Sequence, residues 1–255
     1  MTSGAPSAPP DGDGTTPPTA PALVALTLWG VPGRRVPAAV ARMALDRGPL
    51  RRTPGLRFAK LLGTGDGRTF TLRDADPFHW GILTVWDEPA DHEAFAADAP
   101  LARAWERIAT ERLTVTMAPL SSRGLWSGRR PFGDPVPRPV PGPVAALTRA
   151  RLRLRRARSF WAAVPEVSAD LRTGPGLRLA VGIGEAPIGL QGTFSLWDDA
   201  AALVAFAHRR APHADVVTRT ASAGWYAEEL FARFEVRSVS GTFAGCDPSQ
   251  PSGKG

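Results

Sequence analysis

Few side chains in this 255-residue chain could bind a metal or act as a nucleophile. The single cysteine, Cys246, excludes an intramolecular disulfide, a cysteine-rich zinc or iron–sulfur site and a CxxCH haem attachment. The glycine-rich residues 63–67 lack the Lys-Ser/Thr pair of a P-loop, and no Ser-His-Asp set with a recognisable elbow is present. The candidates that remain are the four histidines, His79, His92, His208 and His213.

His213 is distinguished by the apolar pattern around it. On a helix that begins near Pro212, the side chains of His213, Val216 and Val217 share one face at the 3.6-residue period, so the imidazole would point inward. The residue types allow two roles. One is a core histidine bonded to a backbone carbonyl, and the other is a metal ligand.

The other three histidines have less distinctive surroundings. His92 lies in an acidic turn and His208 precedes two arginines, so both are predicted to be solvated. His79 follows Pro77 and Phe78 at the start of a strand, and its role stays open between structural and functional.

Arginines alternate with apolar residues in the segment that begins at residue 149. On a strand, Arg149, Arg151 and Arg153 would share one face. Such a face is usually a solvated edge, but guanidinium groups also bind carboxylates in a bidentate manner. The chain carries a net charge of +7 with no nucleic-acid motif, so we expect its excess charge to serve anionic ligands, a membrane surface or solubility.

The elements that would position these residues occur twice along the chain. GLRFAKLLGTG at 55–65 returns as GLRLAVGIGEA at 176–186, and the segment 81–100 returns at 192–212. GLWSG at 124–128 pairs with GTFAG at 241–245, and PLARAWER at 100–107 aligns with PHADVVTR at 212–219, so His213 takes the place of Leu101 in the other copy. Each copy has the pattern of a βαββαβ unit, so the predicted fold class is α+β, with tandem ferredoxin-like repeats fused into a dimeric-type α+β barrel.

Composition sets the predicted boundaries of these repeats. Residues 1–22 form a Pro-rich disordered tail, 23–128 the first repeat, 129–143 a Pro-rich linker, 144–245 the second repeat and 246–255 a second disordered tail. The apolar runs are too short for a spanning helix, and the N-terminus has no signal-peptide pattern. We therefore expect a cytoplasmic protein.

The aromatic residues divide into matched and unmatched positions. Trp86 and Trp197 occupy equivalent strand ends in the two copies, which predicts core packing for both. Trp126, Trp161 and Trp225 have no such match, so they could line an apolar pocket or fill the core. Tyr226, the only tyrosine, falls in a segment whose pattern is typical of an amphipathic helix.

Several longer strings resemble one family of enzymes. The chain is similar to the spheroidene monooxygenase family of carotenoid-ketolating enzymes in KLLGTG (60–65), WSGRRPF (126–132), LTRARLR (147–153), FWAAVP (160–165), GIGEAPIGLQGTFSLW (182–197) and WYAEELFARF (225–234). The resemblance implies a fused barrel that binds haem and inserts oxygen at the terminal C2 region of acyclic carotenoids. It also implies O2 and a ferredoxin-type electron donor as co-reactants.

The same resemblance assigns roles to the candidate residues. His213 would be the axial haem ligand, Arg149 and Arg153 would bind the propionates, and Arg151, Lys60 and Arg129 are weaker candidates of that type. Tyr226 would donate a hydrogen bond to bound oxygen, and the unmatched tryptophans would surround the polyene. The alternative is a non-catalytic α+β barrel that binds haem or a lipid, and peripheral contact with the inner membrane surface is open in both cases.

Overall fold

The structure is a computed structural model that describes residues 19–65, 75–152, 174–185, 190–209 and 226–252. Four of the predicted site residues lie outside this part of the chain, namely His213, Arg153, Trp161 and Trp225. Tyr226 is described by its backbone alone.

Eight antiparallel strands form a closed barrel. They are β1 (Leu23–Gly30), β2 (Leu56–Gly65), β3 (Ala75–Trp86), β4 (Glu111–Gly124), β5 (Val144–Leu152), β6 (Leu177–Gly184), β7 (Leu190–Trp197) and β8 (Tyr226–Gly241). The order around the barrel is β1-β3-β2-β6-β7-β5-β8-β4. The four strands of each half therefore lie in the same order, and the halves join where β2 pairs with β6 and β4 with β8.

The barrel interior is an apolar core built from alternate residues of the strands. In β1, Val24, Leu26 and Leu28 point inward and are almost fully buried, whereas Trp29 faces outward. Each large apolar side chain buried in this way stabilises the fold by about 1.5–3 kcal/mol. The interior is thus occupied by the protein's own side chains.

Helices cover the outer face of the barrel. Among the residues that the structure describes, these are α1 (Val36–Leu45), α2 (Arg47–Arg51), α3 (Pro89–Asp98) and α4 (Pro100–Glu106) in the first half and α5 (Ala200–Arg209) in the second. A proline in the first turn begins α1, α3 and α4. α3 and α4 are separated at Pro100, because Ala99 before it is extended, with φ −60° and ψ 131°.

Trp86 and Trp197 confirm the core-packing prediction for equivalent strand ends. Both are completely buried, and each indole nitrogen donates a hydrogen bond of 2.9 Å to the hydroxyl two residues earlier, on Thr84 and Ser195. Each indole also packs against a phenylalanine nine residues later. The same local solution therefore occurs in both halves.

Three sequence predictions need correction. Tyr226 begins a 16-residue strand, because the inward residues Leu230, Ala232 and Phe234 follow a period of two. The second tail is ordered as far as residue 252, where the Ser252 hydroxyl donates a 2.6 Å hydrogen bond to Asp198. The Pro-rich linker also contributes to the core, since the buried ring of Phe132 meets Phe234 edge-on at 4.9 Å.

Among the described residues, no helix is both long and apolar enough to cross a membrane.

Candidate functional site

Five side chains from different elements meet inside one end of the barrel. This barrel-end cluster consists of Lys60 on β2, Trp126 in the turn after β4, Arg149 on β5, Glu185 after β6 and Glu228 on β8. Lys60 and Arg149 fall on the inward positions of their strands, in line with Leu62 and Leu147. Strand periodicity therefore brings charged groups into an otherwise apolar barrel.

Arg149 is the centre of the cluster and only 4% of its side chain is exposed. One terminal nitrogen, Nη1, donates to Glu228 Oε1, and the other lies 3.4 Å from Glu185 Oε1. The guanidinium carbon is 5.4 Å from the centre of the Trp126 ring. Its buried Nε has no hydrogen-bond partner within the described part of the chain.

The carboxylates have further partners besides Arg149. Burial opposes ionisation of Glu228, but the N–H groups of Gly128 and Ser127, at 2.7 and 2.9 Å, and the Arg149 charge outweigh it, so the pKa of Glu228 is lowered. Lys60 Nζ lies 2.5 Å from Glu185 Oε2. Two cations thus balance two carboxylates, and the cluster ties the halves together.

This placement bears on the roles predicted for Arg149 and Trp126. Both terminal nitrogens of Arg149 already face carboxylates inside the barrel, which argues against the predicted role of Arg149 in binding a haem propionate. Trp126 is 1% exposed, packs edge-on against Phe58 and donates its indole N–H to Glu185. It fills the barrel end, which is the core role left open by the sequence.

The outer face of the barrel differs between the halves. In the first half, Trp29, Leu61 and Ile82 form a buried layer with Leu101 and Trp105 of α4. The rings of Trp29 and Trp105 stack at 5.0 Å, and Trp105 donates a 3.0 Å hydrogen bond to the buried Asp46. Large side chains therefore fill the space between sheet and helices on this side.

The second half carries small residues at the matching positions. Leu61 pairs with Ile82 across β2 and β3, and Gly182 pairs with Thr193 across β6 and β7. Ala150 on β5 lies two residues after the residue that pairs with Thr193. The matching position on β1, two residues after the partner of Ile82, is Trp29. The sheet of the second half therefore carries small side chains at places where the sheet of the first half carries large ones.

The first half also shows where the residue aligned with His213 lies. That residue is Leu101, which is 5% exposed and packs on the outer face of the sheet. Leu101 borders a cavity of about 660 Å³ between α1, α2, α3 and α4, together with Asp46 and Phe95.

His79 and His92 have structural partners, and His208 of α5 is described by its backbone alone. His79 lies 2.6 Å from Asp76 and 3.2 Å from Glu111, and its ring packs on Phe243. His92 is half-buried against Trp86, and burial lowers its pKa, so the prediction that it is solvated is wrong. Within the described ranges, no group of three or more His, Cys, Asp or Glu could hold a metal ion.

Sequence reasoning missed the glutamates of the cluster. Glu228 and Glu111 are related by the same 117-residue spacing as the GLWSG and GTFAG strings. Glu111 accepts hydrogen bonds from the N–H groups of Ala244 and Gly245, as Glu228 does from Ser127 and Gly128. Comparison of residues ahead of each string could therefore have found both.

Three curated relatives match most of this chain. It is 38% identical over 215 residues to spheroidene monooxygenase of Rhodobacter capsulatus, covering 84% of this chain and 89% of that protein. It is 37% identical over 222 residues to that of Rubrivivax gelatinosus, covering 87% and 81%. The corresponding protein of Cereibacter sphaeroides is 34% identical over 197 residues, or 76% and 60%. No family model matches the chain.

Solved structures share the fold. A crystal structure of aldoxime dehydratase superposes with a TM-score of 0.56 at 11% identity, covering 90% of this chain and 86% of that one. An aldoxime dehydratase in complex with butyraldoxime gives 0.52 at 11% identity, covering 84% and 79%. At such identities the likeness concerns the fold, and the relatives above carry the assignment. This chain belongs to the spheroidene monooxygenase family and is an enzyme of the monooxygenase class.

Proposed function

We propose that this monooxygenase is haem-dependent and oxygenates an acyclic carotenoid or a similar hydrophobic polyene. The observation that carries the proposal is the replacement of Trp29, Leu61 and Ile82 on the first outer face by small residues on the second. Because the barrel interior is filled, a large ligand has to lie outside it. The small side chains on the outer face of the second half support that face as the binding site.

We propose in addition that the barrel is a fusion of two ferredoxin-like repeats. The halves have one strand order, the same indole to hydroxyl hydrogen bond and the same turn bound by a glutamate of the other half. A fused pair can change one copy for binding while the other retains a packed core. This division explains why the first outer face keeps its tryptophans.

Within this proposal the chain's own residues have defined tasks. His213 would hold the haem iron and Arg153 a propionate. Bound haem would supply the activation of O2, with electrons from a ferredoxin-type donor in the cytoplasm. Trp161 and Trp225 would exclude water around the polyene beside the small residues Ala150 and Gly182, and Tyr226 would donate a hydrogen bond towards oxygen.

The test is haem retention by the full-length protein after reconstitution. His213→Ala should lose the Soret band and the oxygenated product of an acyclic carotenoid, while His92→Ala keeps both. Added imidazole should restore the band of His213→Ala, because it replaces the missing ligand. A folded His213→Ala protein with a wild-type Soret band would contradict the ligand assignment.

A colourless wild-type protein that still oxygenates the carotenoid would overturn haem dependence and leave the substrate class intact. Conversely, a haem-containing protein that oxygenates no polyene would leave the cofactor proposal and overturn the substrate. The two measurements therefore separate the two parts of the proposal.

A further inference from the structure

The surface of α1 and α2 carries an unusual concentration of positive charge. Between Gly33 and Thr53 the chain has six arginines and a single acidic residue, Asp46. Asp46 is 2% exposed and pairs with Arg42 at 3.2 Å, so it offers no charge to the surface. The arginines that lie exposed there are Arg34, Arg35, Arg47, Arg51 and Arg52.

None of these five arginines forms an ion pair with another described residue. A surface of uncompensated guanidinium groups attracts an anionic partner and loses that attraction as salt screens it. We refer to this surface, from Gly33 to Thr53, as the α1–α2 face.

Apolar side chains project from the same face. Val40 is 53% exposed and Leu45 is 61% exposed, and the outward side of α1 also includes Pro37, Ala41 and Ala44. These positions recur at the spacing of one helix face. A helix that exposes an apolar stripe between arginines has the pattern of a segment lying at a lipid interface.

We propose that the α1–α2 face docks the protein on an anionic lipid bilayer. Arginines would contact lipid headgroup phosphates, while Val40 and Leu45 would enter the boundary between headgroups and acyl chains. This inference goes beyond the proposed function and rests on surface charge and exposure alone. It would bring a monooxygenase close to substrates that dissolve in a bilayer.

The neighbouring helix fixes the orientation of docking. Asp91 and Asp98 of α3 line the cavity opposite Arg42 and Arg52 of the α1–α2 face. The acidic α3 is repelled by an anionic surface, so the protein should meet the bilayer with α1 and α2 first. Leu45 also borders this cavity, which therefore opens beside the docked surface.

The experiment is co-sedimentation of the full-length protein with sucrose-loaded vesicles. Vesicles of phosphatidylcholine alone are compared with vesicles that contain phosphatidylglycerol at roughly 30%, in the range where anionic surface potential becomes effective. We expect binding to the anionic vesicles only. Raising the salt to about 0.5 M should weaken it strongly, since the screening length then falls to a few ångströms.

Two variants with matched controls test the face itself. Changing its five exposed arginines to glutamine should weaken vesicle binding on the order of tenfold or more. Changing five other exposed arginines, Arg107, Arg112, Arg123, Arg233 and Arg237, removes the same charge and should have little effect.

The apolar pair is tested separately. Val40→Ser with Leu45→Ser should weaken binding several-fold, and Val136→Ser with Leu125→Ser, also exposed, should not. If the two sets of arginine variants lose vesicle binding equally, net charge alone explains the binding and the proposal is overturned. Dependence on the arginines of the face without dependence on Val40 and Leu45 would point to an acidic protein partner and also overturn it.

Discussion

The two halves of the barrel use equivalent positions for different purposes. Leu28 of β1 and Arg149 of β5 both lie opposite an inward glycine, Gly81 in one half and Gly192 in the other. The first half places an apolar side chain inside the barrel and tryptophans outside it. The second places a charge inside the barrel and small residues at the outer positions that match Trp29, Leu61 and Ile82, so equivalent positions of the two halves are not packed alike.

The largest expected effect comes from making the second half like the first at the barrel end. Arg149→Leu gives β5 the leucine that β1 has at the matching position, Leu28. It leaves Glu185 and Glu228 without the cation that they share. We expect a loss of about 3–5 kcal/mol in unfolding free energy, because unpaired buried charges are costly. Urea denaturation measures this.

A compensating variant sharpens the result. Arg149→Leu combined with Glu228→Gln removes one cation and the carboxylate paired with it, and leaves Lys60 paired with Glu185. Stability should recover at least in part, since no charge of the cluster is then left without a counter-charge. If the double variant is less stable than Arg149→Leu alone, the cluster is not the self-neutralised unit described above.

The inward glycines predict a smaller and unequal effect. A Cβ on Gly192 would lie 2.6 Å from the backbone oxygen of Thr148, whereas on Gly81 it would lie 2.7 Å from the movable end of Leu28. Gly192→Ala should therefore cost about 2–3 kcal/mol and Gly81→Ala less than about 1 kcal/mol. Thermal unfolding compares them, and equal costs would show that the two positions are packed alike.

The matched glutamates predict the smallest effect, through pH. The folded-state pKa is lowered for both Glu228 and Glu111, so ionisation of each stabilises the fold. That contribution is present above the unfolded-state pKa, and it is lost as the pH falls through the lowered folded-state value. Stability should therefore decline in the acid range below about pH 4.5.

Glutamine variants measure the share of each half. At pH 7, Glu228→Gln should cost about 2 kcal/mol and Glu111→Gln about 1 kcal/mol, because only the first carboxylate forms an ion pair with a buried guanidinium, that of Arg149. Both variants should show a weaker decline on acidification than the wild type. An unchanged acid profile would remove these glutamates from the pH response.

Local patterns predicted the barrel strands well and the site poorly. The strands around Trp86 and Trp197 follow from their two-residue alternation and their repetition. The tail beyond Cys246 was missed because Arg178 and Asp198, far away in sequence, provide its hydrogen bonds. Likewise, the alternation around Arg149 is typical of a solvated strand face. Its burial depends on Glu228 and Glu185, which only the fold brings beside it.

The difference in side-chain size between the two outer faces could not be predicted from the sequence either. Ala150, Gly182 and Thr193 are ordinary strand residues one by one, and they become informative only once the register aligns them with Trp29, Leu61 and Ile82. The assignment of His213, by contrast, came from the sequence comparison of the copies together with the family resemblance, and it stays a prediction.

We propose above that haem binds on the outer face of the second half, around Ala150 and Gly182. The haem content of the Ala150→Trp variant tests this most directly. Ala150→Trp gives the second half the tryptophan that the first half has at the matching position, Trp29. Ser240→Trp is the control, because it places the same side chain at an exposed position of β8. With folding checked by circular dichroism, we expect Ala150→Trp to lose the Soret band and Ser240→Trp to retain it. A folded Ala150→Trp protein that binds haem as the wild type does would contradict the account.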